Sequence, residues 1–170
     1  MSFRVRQSPT EVKVIAALNT NKQLVLEDAA VEELISSFRG ESLLRPGDPV
    51  ILISAVGQPS TGKTGILDGV VSCLMSLPSA VEKATPTDLK FPQPKNNEQK
   101  MHKFDGITAC HPPFIVECGK DGRQLGIVVL DIWNNSSMSE DVYVKMLDFC
   151  YHVSSLRIFS LADPSRPVRF

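Results

Sequence analysis

The residues Gly57-Gln58-Pro59-Ser60-Thr61-Gly62-Lys63-Thr64 fit the spacing G-x-x-x-x-G-K-[ST]. That spacing suits one kind of chemistry, the holding of phosphate. The backbone N–H groups of such a loop turn inward and form an anion nest, and a following helix adds the positive end of its dipole. Gly57 and Gly62 would permit the tight turn and the close approach of phosphate oxygens. Lys63 would reach the β- and γ-phosphates as a point charge, and the Thr64 hydroxyl would ligate Mg²⁺. Gly65 completes the candidate nucleotide-binding set. Asp131 is the second piece. It closes the apolar run Ile127-Val128-Val129-Leu130, the place where a carboxylate can hold Mg²⁺ beside bound phosphates. Two plainer readings stand beside these: a glycine-rich turn in some other α/β protein, and an aspartate that caps the next turn.

The elements around the motif are the ones such a loop needs. Val50 to Val56 reads Val-Ile-Leu-Ile-Ser-Ala-Val, a near-continuous apolar run suited to a strand covered on both faces. From Lys63 to Met75 the residues Ile66, Leu67, Val70, Val71 and Leu74 recur at helical spacing. Upstream, Val12 to Leu18 and Leu24 to Leu26 flank the turn Asn19-Thr20-Asn21-Lys22 and predict a hairpin. Asp28 caps a helix over Ala29 to Phe38, ended by Gly40. Downstream, Phe114 to Val116 and Leu125 to Asp131 flank Lys120-Asp121-Gly122-Arg123 and predict a second hairpin. Asp141 to Val153 is a helix candidate, Leu156 to Leu161 a last strand, and Ala162 to Phe170 a loosely ordered tail. Leu77 to Lys103, with four prolines and many polar residues, reads as a long mobile loop of the length that usually carries function.

Composition narrows the classes further. A chain of 170 residues with net charge −1 has no basic excess to neutralise a phosphate backbone, which argues against nucleic acid as partner. Cys73, Cys110, Cys118 and Cys150 form no C-x-x-C pair, so neither a zinc site nor a disulfide framework is expected. The longest uncharged stretches, Pro49 to Gly62 and Gly69 to Val81, fall short of a membrane span. No signal peptide is read at the start, and a cytoplasmic setting with reduced thiols is the expectation. His102, His111 and His152 have no nucleophile context and read as structural. No internal repeat is visible. The order of elements predicts one α/β domain over 1–170, with a mostly parallel sheet and helices on both faces.

On these residues the chain resembles the guanylate-binding protein and atlastin GTPases of the dynamin superfamily. The likeness runs through Val14-Ile15, Leu24-Val25-Leu26, Ala29 to Ile35 and Pro49 to Thr64. It continues at Phe104-Asp105-Gly106-Ile107, at Val129-Leu130-Asp131 and at Ser154-Ser155-Leu156, and covers about residues 10 to 161. The resemblance implies a partial, incomplete G domain preceded by a small hairpin and helix, and a switch-I-like loop over 78–103. It further implies GTP or GDP with Mg²⁺ as ligand and a homodimer through the nucleotide face. The departures bear on turnover. Ser60 stands where the family has an arginine finger, Phe104 where it has the switch-I threonine, and Asn134 where it has the switch-II glycine. Thr108 lies near the missing threonine. The guanine-reading Arg-Asp motif would fall beyond residue 170, and no catalytic residue is assigned. The reading is a nucleotide-binding protein with weak or absent GTP hydrolysis. The alternative is a degenerate G domain kept as a protein-interaction module, and a third is a truncated isoform.

Overall fold

A computed structural model describes residues 3–39, 44–57, 61–79, 91, 105–133 and 139–160. Among them are eight strands and three helices. The N-terminal strands are β1 (Phe3–Gln7), β2 (Glu11–Leu18) and β3 (Leu24–Leu26), followed by α1 (Asp28–Arg39). Then come β4 (Val50–Gly57), α2 (Lys63–Met75), β5 (Gly106–His111), β6 (Phe114–Cys118) and β7 (Arg123–Trp133). The chain ends its described part with α3 (Glu140–Val153) and β8 (Leu156–Ser160).

All eight strands join one sheet. Its axis is β7, the longest strand. One flank of β7 receives β6 and then β5 in antiparallel register, Phe114 opposite Ile127 and Thr108 opposite Asp131. The other flank receives β4 in parallel, Val50 opposite Gly126 and Ser54 opposite Leu130. Beyond β4 lies β8, also parallel, with Gly57 opposite Ser160. On the far side β1 pairs with β6, β2 with β5 and β3 with β2, all antiparallel.

The expectation of a mostly parallel sheet, as in a P-loop G domain, is therefore wrong. Among the eight strands only β7–β4–β8 is parallel, and the other strand pairings are antiparallel; a single parallel bridge joins Val5 to Ser79 outside them. The error has a physical source. Two strands are missing from the sequence reading, β1, although Phe3-Arg4-Val5-Arg6 alternates, and β5, and both extend the antiparallel part. In Gly106-Ile107-Thr108-Ala109-Cys110-His111 only Ile107 and Thr108 are strong strand formers, and no alternation of apolar and polar residues marks the run. It is nonetheless buried throughout, because β2 and β7 saturate its backbone on either side.

Alternation along β7 sorts the core into two layers. Ile127 and Val129 pack with Leu67 and Val71 of α2 and with Phe114 and Val116 of β6. Val128, Leu130 and Ile132 pack with Tyr143, Met146 and Cys150 of α3, and Val31, Leu34 and Phe38 of α1 lie against the same cluster. Gly126 lets α1 approach: a Cβ there would stand 2.7 Å from Phe38 Cε1. The strand period of two then fixes the direction of Asp131. It continues the row of Ile127 and Val129, toward the face that α2 covers.

Candidate functional site

Gly57 ends β4 with φ 155°. A Cβ at this position would lie 2.2 Å from the Ser160 carbonyl oxygen, so the close passage of β8 excludes any side chain. Past Gly57 the residues Gln58, Pro59 and Ser60 lie outside the described residues. The motif resumes at Thr61, whose carbonyl accepts a hydrogen bond from Ser160 Oγ at 2.6 Å. Gly62 takes φ 77° as the residue before α2, and its carbonyl receives the Ile66 N–H at 3.1 Å as the helix begins. This is the left-handed conformation that glycine adopts without a Cβ penalty. Gly65 is exposed on the first turn, with open space where a Cβ would be.

Thr64 and Asp131 meet. Thr64 Oγ1 donates to Asp131 Oδ2 at 2.8 Å across 67 positions of sequence. Asp131 is fully buried, and its other oxygen, Oδ1, has no hydrogen-bond partner. Burial pushes the Asp131 carboxyl up to about 6, while the Thr64 hydroxyl and the Lys63 charge act in the opposite direction. Thr108 stands opposite Asp131 in the β5–β7 ladder, and its hydroxyl donates to the Asp131 carbonyl at 3.4 Å.

Lys63 is only 7% exposed. A phosphate-binding lysine in an empty site would ordinarily face solvent; here Nζ sits 5.4 Å from the centre of the Tyr143 ring. Burial lowers its pKa, opposed by the negative charge of Asp131. Tyr143 in turn donates its hydroxyl to the Gly57 carbonyl at 2.6 Å. Sequence reasoning passed over Tyr143, although a signal exists. Tyr143, Met146 and Cys150 recur at three and four along α3, and a tyrosine on such an apolar face must bring its hydroxyl to a partner.

Asp68, one turn after Thr64, accepts the Phe91 N–H at 2.9 Å, and the Phe91 ring is buried against the α2 layer. Of the loop expected over 78–103, Pro78 and Ser79 are tied to β1, the Pro78 carbonyl accepting the Val5 N–H at 2.8 Å; apart from Phe91 the rest, with Phe104 and Asn134, lies outside the described residues. His111 is held by Ser37 at 3.2 Å and lies near Glu11 and Glu33 at the β2–α1 junction.

The donor set suits a hard cation. Mg²⁺ in nucleotide sites takes one or two protein oxygens and completes its shell with phosphate and water. The buried Asp131 Oδ1, lacking a partner, and the adjacent Thr64 hydroxyl fit that requirement. Among the described residues no three His, Cys, Asp or Glu side chains converge as a metal cage, and a nucleotide-linked Mg²⁺ does not need one. No described helix is long and apolar enough to cross a membrane. Neither protein-family models nor curated proteins give a match to this chain.

Proposed function

We propose that this chain binds a guanine nucleotide together with Mg²⁺, and that it hydrolyses GTP slowly or not at all. One observation carries the reading. The two groups that the sequence singles out for Mg²⁺, Thr64 and Asp131, lie in direct hydrogen-bond contact, with a buried carboxylate oxygen left unsatisfied. An unpaired buried polar atom is costly unless a ligand meets it. The turn at Gly62 and the start of α2 supply the anion-binding end of the site. Thr64 and Asp131 would hold Mg²⁺, which when bound neutralises phosphate charge. Lys63 would supply the second positive charge. The preference for guanine rests on the resemblance to guanylate-binding proteins and atlastins alone.

Slow turnover follows from residue chemistry. Ser60 carries no cation where an arginine finger would stand, and Phe104 offers no hydroxyl to the metal or to water. A second reading, a scaffold that engages another protein and no nucleotide, is favoured by the burial of Lys63 against the Tyr143 ring. Titration of the purified chain with fluorescent GDP, GTP and ATP, with and without Mg²⁺, separates the two. Mg²⁺-dependent guanine binding that Thr64→Val abolishes is the expected result. A folded chain that binds none of the three overturns the nucleotide reading.

A further inference from the structure

We propose that Tyr143 is the positioning residue for Lys63, holding the phosphate-binding lysine at its working place and fastening the start of the loop. Its role in ligand binding rests on the nucleotide reading above. Two observations on one side chain carry it. The ring lies beneath the Lys63 ammonium at 5.4 Å from its centre, within the range of cation–π attraction. The hydroxyl donates to the Gly57 carbonyl at 2.6 Å. Tyr143 thus touches the last residue before the loop and the first residue of the helix after it.

The geometry divides the labour between the two parts of the side chain. Burial weakens the hydration of the Lys63 ammonium, and the ring face replaces part of it. A lysine stem has four rotatable bonds, and fixing it in advance lowers the ordering cost of ligand binding. The hydroxyl fixes the carbonyl of the last residue of β4. Tyr143 itself is anchored by α3, whose Met146 and Cys150 are buried in the same layer. The lysine is therefore placed by an element far from it in sequence.

The test uses two variants, one for each part. Acylation of the free protein with acetic anhydride, mapped by mass spectrometry, reports access to Lys63. Fluorescent GDP with Mg²⁺ reports binding. Tyr143→Phe keeps the ring and should leave Lys63 protected, while GDP dissociates about threefold faster for want of the Gly57 bond. Tyr143→Leu removes the ring and should expose Lys63 to acylation and weaken GDP about tenfold. Should the leucine variant unfold, Tyr143→Met takes its place with the same expectation. A lysine equally protected with and without the ring overturns the proposal. So do equal GDP affinities in all variants. Wild-type protein that protects Lys63 but binds no guanine nucleotide removes the nucleotide reading instead, and the acylation arm still decides whether Tyr143 holds the lysine.

Discussion

Replacing Asp131 by asparagine should stabilise the ligand-free protein above neutral pH while destroying its response to Mg²⁺. The carboxyl is fully buried and titrates at about 6, against an ordinary 3.8. The folded state therefore binds a proton more tightly than the unfolded chain does. Stability contributed by the protonated carboxyl is complete below about pH 4 and is lost as pH rises to about 6, where ionisation in the folded state begins to dominate. The displacement is about two pH units, on the order of 3 kcal/mol at about 1.4 kcal/mol for each. Asparagine can still accept the Thr64 hydroxyl through its carbonyl oxygen, and its amide group takes the place of the already unpaired Oδ1. The gain should then show as a melting temperature higher by about 6–12 °C at about pH 8, for a chain of this size. Below about pH 4 the two proteins should melt together. Adding Mg²⁺ and GDP should raise the wild-type melt well above any rise in the variant, because the asparagine brings no negative charge to the cation. Thermal melts across that pH range, with and without Mg²⁺-GDP, decide the matter. A variant that is less stable than wild type at high pH, or a difference that does not change with pH, refutes the electrostatic reasoning.

Lys63→Met should retain the unfolding free energy within about 1 kcal/mol, since the thioether replaces the buried stem, yet nucleotide titration should show no binding. Thr64→Val removes the donor that faces Asp131 and should cost about 1–3 kcal/mol in chemical denaturation, with the loss appearing mainly where the carboxyl is ionised. Gly57→Ala forces a Cβ against the Ser160 carbonyl and should destabilise by about 1–3 kcal/mol, measured by urea unfolding. Single-turnover GTP hydrolysis should run about 10³–10⁵ below that of a GTPase equipped with an arginine finger; a comparable rate, abolished by Thr64→Val, would refute that expectation.

The two chemical pieces of the site were legible because each has a local signature. The run before Gly57 and the spacing after Lys63 marked β4 and α2, and the apolar run ending at Asp131 marked β7. Period-two alternation along that run even fixes which face the carboxylate joins. What stayed hidden depends on contacts remote in sequence. Strand β5 is held by β2 and β7 on either side, and within 106–111 only Ile107 and Thr108 favour a strand, too short a run to mark one. With β1 and β5 unread, the antiparallel share of the sheet was underestimated, and the sheet type came out wrong. The burial of Lys63 was hidden for a related reason: the Tyr143 ring, 5.4 Å from its ammonium, comes from α3. The Asp68–Phe91 bond likewise joins residues whose types and spacing give no hint of contact.

The double hold of Ser160 on the loop bears on how this sequence can drift. Its carbonyl occupies the space a side chain at 57 would need, and its hydroxyl carries the Thr61 carbonyl on the other side of the turn. Positions 57, 61 and 160 are thus bound into one unit that crosses two parallel strands. A substitution at 160 that shifts the strand end opens room at 57 and frees a carbonyl at 61 together. In diverged copies of this chain, a residue other than glycine at 57 should arrive only in company with a change at the end of β8.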